Sequence, residues 1–244
     1  MKQGQRLCLH PMSPPRLRNF HHQIVDAVGA SIVAGRYAEG AQLPTEPQLA
    51  ETYGASRLII REAMKSLAAK GLVSIRPRTG THVLPRADWN LFDPAVLGWQ
   101  SEAPPDKKLI ADLMELRQTI EPLAARLAAA RALAPQVAEI RQAFEAMAKA
   151  QTQASYIEAD LRFHGAVVRS CDNQFIQQLE TALSAVWKTS FQASSDAWGP
   201  DARALELHRS LLHSIEERDP QGAESAVLAL IARAVVRINH TETP

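Results

Sequence analysis

Cysteine is almost missing from this chain, which carries two in 244 residues, Cys8 and Cys171. Two thiols that far apart fit no metal-ligand spacing and make a poor disulfide framework, so a disulfide-stapled secreted scaffold is excluded and a reducing cytoplasm fits. Long apolar runs are missing too. None approaches the roughly 18 residues of a membrane span, and the opening MKQGQRLCLHPMSPPRL has no continuous apolar core of the kind a signal peptide needs. Net charge is only +1, but the balance is uneven along the chain. Residues 1–86 hold 12 Lys+Arg against 5 Asp+Glu, a net of +7, and the remaining 158 hold 15 against 21, a net of −6. A basic head on an acidic body implies that the head alone meets a polyanion.

What is present is a sequence of elements. Residues 1–18 are basic and proline-containing and read as a disordered arm. Phe20, Ile24, Val25, Val28, Ile32 and Val33 recur at helical spacing, with Gly35 as the stop. Thr45 and Gln48 form a T-x-x-Q capping box that opens a short helix through Tyr53, and Gly54-Ala55 supplies a turn. Ser56 caps a longer helix to about Lys70, which Gly71 ends. Leu72–Arg76 and Thr81–Leu84 alternate as strands about a Pro77–Gly80 turn. Residues 19–84 are therefore expected to form a winged helix-turn-helix, residues 85–105 a linker that packs across the domain junction, and residues 106–240 a bundle. Helices are expected near 106–132, 135–151, 154–170, 173–194, 201–218 and 220–239, because alanine is abundant, β-branched runs are scarce and interruptions are short. The fold class is mainly α, the second domain being an antiparallel bundle of six or seven helices.

The head presents a constellation suited to duplex DNA. Ser56 sits at a helix entrance where its hydroxyl and the free N–H groups can face a phosphate. Arg57 and Arg61 lie four apart on one face, and an arginine fork can grip guanine O6 and N7 together. Ile60, Ala63, Met64 and Leu67 occupy the opposite face as anchors. Arg76 and Arg78 sit at the wing tip beside Gly80, placed for phosphate or minor-groove contact. Lys65 and Lys70 read as non-specific phosphate contacts or plain surface.

In the bundle, Asp160 and His164 are four apart on one helix face, and His208 lies on a later helix with Leu205, Leu211, Leu212 and Ile215. One carboxylate with two imidazoles suits zinc or another divalent metal with an open position, and equally suits histidines hydrogen-bonded in a helical core. Arg117 and Glu121 are spaced as an i,i+4 surface pair. Asn173 reads as a helix cap. Trp187 and Trp198 could line a cavity or fill a core.

The run G-x-x-L-P-T-E-x-x-L-A-x-x-x-G-x-S-R-x-x-x-R-E-A-x-x-x-L-x-x-x-G-L-V, closing with R-x-G-T-x-V over residues 40–83, resembles the DNA-binding domain of the GntR family of bacterial regulators. The resemblance implies that Ser56, Arg57 and Arg61 touch DNA, supported by the wing from Arg76 to Thr81. Pro47 stands where the family often has arginine, which implies a missing contact there. ELRQTIEPLAARLAA, the D-x-x-x-H pair and HRSLLHSIEERD resemble the helical (FCD) ligand-binding domain of the FadR-type branch. In many members Asp and three His hold a metal against which an acidic effector sits, and the resemblance turns Arg117 toward the cavity as a clamp for an effector carboxylate. The third His would fall at Leu230, and His213, about 140° around the helix from His208, cannot replace it. The implied metal site is Asp160, His164 and His208, and the implied effector set is Arg117 with the same three residues.

The resemblance implies a homodimeric, effector-responsive regulator, a repressor of a sugar-acid operon such as one for galactonate, reading an inverted-repeat operator in double-stranded DNA and standing away from any membrane. Two other classes remain: a metal-dependent hydrolase built on Asp160, His164 and His208, and a constitutive DNA-binding protein whose bundle only dimerises. Trp89 and Trp99, by position, are the candidates for transmitting an effector signal.

Overall fold

A computed structural model describes residues 15–103, 107–184, 187 and 202–240, with side chains described from Phe20 to Val236 within those ranges. Cys8 and the rest of residues 1–14, Trp198 and the end of the helix expected to reach 194 lie outside the described residues. The chain forms two compact units that divide between Ala103 and Pro104.

In the first unit, helix α1 spans Pro15–Val33. It begins inside the segment read as an arm, because proline at a first helical turn forgoes an N–H that would have had no partner there. Ile24, Val25, Val28 and Ile32 form its buried face. Gly35 ends it in the left-handed region at φ +74°, and the Arg36 N–H closes onto the Ser31 carbonyl at 3.0 Å. Helix α2, Glu46–Tyr53, opens where Gln48 Oε1 accepts from the Thr45 N–H at 2.9 Å and from its hydroxyl at 2.8 Å. Helix α3, Arg57–Ala69, follows from the Ser56 cap and buries Ile60, Ala63, Met64 and Leu67. Ile60, Met64 and Leu67 each contribute about 1.5–3 kcal/mol by leaving water. Strands β1, Val73–Arg76, and β2, Gly80–Val83, pair antiparallel from Val73↔Val83 to Arg76↔Gly80. A bridge between Gln42 and His82 extends the wing on its other side.

The segment expected to be a linker folds into this first unit instead. A 3-10 turn at Arg86–Asp88 leads to helix α4, Pro94–Glu102, capped by the Asp93 carboxylate, which accepts from the Ala95 and Val96 N–H groups at 2.9 and 3.3 Å. Lys70, at the end of α3, donates to both Asp93 oxygens at 2.8 and 2.7 Å, so it is committed to α4 rather than displayed as plain surface. Trp89 donates its indole N–H to the Leu84 carbonyl at 2.9 Å, and Val96 and Trp99 are buried in the same core as α1 and α3. The physical reason is area: Trp89, Leu91, Val96 and Trp99 together cover too much apolar surface to remain a tether.

The second unit is helical throughout its described residues. Its helices are α5 (Lys107–Arg131), α6 (Ala134–Ala148), α7 (Gln153–Arg169), α8 (Gln174–Gln178), α9 (Ala202–Glu216) and α10 (Pro220–His240). α5 packs against α7, α9 and α10, α6 against α7 and α9, and α9 against α10. The core joins Ala128, Ala129, Ile140, Phe163, Leu211 and Ile215, where alanine lets helix axes approach closely. Asn173 caps α8 as expected, accepting from the Phe175 and Ile176 N–H groups at 3.0 and 3.3 Å. The single helix expected from residue 173 is broken by a turn at Leu179, with helical residues resuming at 180. The break lets Ile176, Leu183 and Trp187 enter one cluster with Ala124, Val168 and Cys171. The fold class is the expected one, a winged helix-turn-helix joined to a helical bundle.

Candidate DNA-binding surface and effector site

On the first unit, the entrance of α3 is polar and solvent-facing. The Ser56 hydroxyl accepts from the Ile59 N–H at 3.3 Å, which spends it as a cap. Arg57 is exposed one residue on. Arg61 is exposed as well, but its fork is met on both prongs by Glu46 of α2, Nε to Oε1 at 3.0 Å and Nη2 to Oε2 at 2.8 Å. The bidentate pair ties α2 to α3, and its hydrogen bond lowers the Glu46 carboxyl from its ordinary range. Lys65 pairs with Glu62 at 2.9 Å on the solvent side. Sequence reasoning set Glu46 aside as a motif letter. Its spacing of 15 from Arg61 crosses a turn and carries no helical periodicity that would reveal the pair.

The wing stands beside this surface. Arg76 and Arg78 are exposed, and Arg78 occupies the left-handed region at φ +67° at the tip. Gln42 is the residue sequence reasoning missed here. It donates to the Thr79 carbonyl at 2.9 Å, while the Leu43 N–H reaches the Thr81 carbonyl at 2.8 Å. A Cβ at Gly80 would stand 2.7 Å from Gln42 Nε2, the far end of a flexible side chain, and it is the φ of +89° that calls for glycine here. A cleft of about 370 Å³ opens between wing and α2, lined by Thr45, Glu46, Pro47, Arg76, Arg78 and Thr81 among others. Pro47 is exposed at its rim and puts no cation there.

In the second unit the bundle gathers its ionisable residues into one buried group. Asp160 and His164 of α7 and His208 of α9 are each 5% exposed or less, and one ligand atom from each lies within 4.8 Å of the others. His208 Nδ1 lies 2.7 Å from the Ala204 carbonyl and so donates its proton there. Its Nε2 is left with a lone pair facing Asp160 Oδ1 at 2.8 Å and His164 Nε2 at 3.2 Å. Among the described residues neither Asp160 oxygen is given a hydrogen-bond donor, although both are buried. In the neutral imidazole that donates from Nδ1, the 2.8 Å contact brings no hydrogen to Oδ1. Where neither Nε2 carries hydrogen, the carboxylate and the two imidazoles turn lone pairs toward one another, and a divalent cation would satisfy all three. The donor set, one hard oxygen and two imidazole nitrogens, fits zinc or a neighbouring divalent metal, so the residues fit the ion the fold class implies.

Burial pushes the His164 imidazole down to about 4, which leaves it neutral as a metal ligand must be. Burial would raise the Asp160 carboxyl, but the adjacent imidazoles of His208 and His164 and the Arg117 charge outweigh it and hold it below its ordinary range. The Phe163 ring lies edge-on to both histidines, 5.7 Å from His164 and 5.2 Å from His208 between centroids. His213 is exposed and takes no part, and Leu230 is buried among apolar side chains.

Arg117 and Glu121 pair, but not at the surface. Each is 3% exposed, with Arg117 Nε donating to Glu121 Oε1 at 2.6 Å. Trp187 also donates its indole N–H to Glu121 Oε1 at 2.6 Å and lies 5.3 Å from the His164 ring. Glu121 Oε2 faces His164 Nδ1 at 3.7 Å. The structure therefore brings Arg117, Asp160, His164 and His208 into one neighbourhood and adds Glu121 and Trp187 to it. The clue to burial was present: Met114, Arg117, Glu121, Ala124 and Ala128 recur on one face of α5, and all five are buried.

The basic winged head and the helical body that holds the buried Asp160, His164 and His208 group match two known families in the same order. Residues 20–83 match the bacterial regulatory proteins of the gntR family, and residues 112–233 match the FCD domain. The chain belongs to the GntR family. It is 38% identical over 225 residues to the galactonate operon transcriptional repressor of Escherichia coli K12, covering 90% of this chain and 97% of that one. It is 31% identical to a probable D-xylose utilization operon transcriptional repressor of Paenarthrobacter nicotinovorans, covering 90% and 88%. Among solved structures it shares its fold with the protein Lar, which controls the Listeria monocytogenes agr system, at a TM-score of 0.63 and 15% identity over 91% of this chain and 97% of that one. This GntR-family chain is accordingly a transcription regulator that binds operator DNA through its head and a small molecule through its FCD domain, and it is not an enzyme. The hydrolase alternative is set aside. No described helix is long and apolar enough to cross a membrane.

Proposed function

We propose that this protein is a cytoplasmic, homodimeric repressor of a sugar-acid catabolic operon, released from an inverted-repeat operator when a small carboxylate such as galactonate enters the bundle. The observation that carries the proposal is a buried arginine beside a buried cation-ligand trio, in a chain 38% identical to a galactonate operon repressor. Arg117 offers planar, charge-assisted donors to the effector carboxylate. Asp160, His164 and His208 would hold the divalent cation, which when bound supplies a Lewis-acid contact for effector oxygens. Without it, the formal charges of Arg117, Glu121 and Asp160 sum to −1, a field that opposes an anion. With a divalent ion the same site is +1 and attracts one.

Arg57 and Arg61 read bases, Ser56 and Lys65 face phosphates, and Arg76, Arg78 and Thr81 bring the wing to the backbone. Effector binding lowers operator affinity only as far as the effector favours the DNA-incompetent state. The test is Arg117→Ala, with operator binding and its galactonate sensitivity followed by fluorescence anisotropy on the protein's own promoter. The variant is expected to bind operator within about twofold of wild type and to ignore galactonate. A variant released by galactonate as wild type is would remove Arg117 from the effector site.

A further inference from the structure

We infer that Glu121 is a positioning residue of the cation site, and that the cation site and the arginine clamp share its single carboxylate. The inference rests on the proposed effector site and adds a residue that pairing alone would leave as a structural salt bridge.

Glu121 places its carboxyl group at 3% exposure, and its contacts divide between two partners of different use. Oε1 takes the Arg117 Nε–H and the Trp187 indole N–H, both at 2.6 Å. Oε2 looks the other way as well: Arg117 Nη2 lies 3.5 Å from it and His164 Nδ1 lies 3.7 Å from it. At 3.7 Å the histidine contact is longer than a hydrogen bond, yet in a buried site a carboxylate at that range acts strongly on an imidazole. It favours the tautomer with hydrogen on Nδ1, which leaves the lone pair on Nε2. Nε2 is the nitrogen that points at Asp160 Oδ1 and His208 Nε2, at 3.7 and 3.2 Å. His208 is set in the matching tautomer by the Ala204 carbonyl. Each histidine thus has an oxygen behind the ring, a backbone carbonyl at hydrogen-bond distance for His208 and the Glu121 carboxylate at 3.7 Å for His164, and such oxygens are the usual means by which a protein orients imidazole ligands toward an ion. Trp187, tilted 33° against the His164 ring and bonded to the same carboxylate, fixes the ring from its face.

A structural salt bridge and a positioning carboxylate predict different signs. If the pair only holds α5 in the bundle, removing either partner should disturb the cation site alike. If Glu121 acts on the site by charge and orientation, Glu121→Gln weakens cation binding, whereas Arg117→Met removes a nearby positive charge and strengthens it. The experiment is a titration of metal-stripped full-length chain with Zn²⁺ and with Co²⁺ against a chromophoric chelator, with no effector present. Glu121→Gln is expected to lose about 10–100-fold in affinity, and Arg117→Met to bind at least as tightly as wild type. Glu121→Gln within twofold of wild type, or both variants weakened alike, would overturn the inference. Should Glu121→Gln not fold, Arg117→Met decides by its sign. The sugar-acid reading stands apart from this result, because no effector enters the titration. A wild-type chain that binds neither ion would end the cation site and this inference together.

Discussion

Arg57 and Arg61 look alike in the sequence, yet their surroundings separate their tasks. Arg57 stands exposed at the first position of α3, whereas Arg61 is gripped by Glu46 on both prongs. An arginine held in place has less rotamer freedom to lose when it meets a base edge. Arg57→Ala should cost about 1–3 kcal/mol of operator affinity and relax base preference, read by anisotropy against a panel of substituted duplexes. Lys65→Ala, a solvent-side cation paired only with Glu62, should weaken all duplexes alike and lower the salt slope by about one. Equal effects of the two variants on specificity would show that α3 does not read bases through its entrance. At this scale the sequence displayed the arginines and the Arg117–Glu121 spacing, but not the partnership of Glu46 with Arg61 or the burial of Glu121. A glutamate's partner across a turn has no period, and an Arg–Glu pair spaced four apart looks the same whether it faces water or a core.

Among elements, α2, α3 and the wing were legible because their signals are local. Thr45 with Gln48, Gly54, Ser56 and Gly71 mark ends by capping and left-handed turns, and the observed helices start and stop within a residue or so of them. The 85–103 segment was not legible, since its tryptophans announce burial without naming what buries them. The answer lies on α1, where a Cβ at Gly29 would come within 2.4 Å of the Trp99 ring. Glycine within a helix costs about 1 kcal/mol relative to alanine, and this glycine is retained because the indole occupies the space of a side chain. Gly29→Ala should therefore destabilise the head by about 1–3 kcal/mol through overpacking, despite its better helix propensity. Urea denaturation of wild type and variant measures it, and a stabilised variant would show that Trp99 moves aside freely. Asp93→Ala should cost about 1–2 kcal/mol in the same measurement, because the α4 cap and the Lys70 partner are lost together.

For the whole molecule, the division of charge foretold the division of labour: a net of +7 before residue 87 and −6 after it. The family places the basic part on operator DNA and the acidic part around a small molecule. An acidic body that receives an anion requires a local reversal of sign, which Arg117 and a divalent ion on Asp160, His164 and His208 would supply. The most direct measurement is binding of the full chain to its own promoter at moderate ionic strength, compared with a random duplex, titrated with galactonate in the presence and absence of Zn²⁺. The account predicts tighter binding to the promoter, release by galactonate with the ion present, and little release once a chelator has removed it. Equal affinity for both duplexes, or release that is indifferent to the ion, would contradict it.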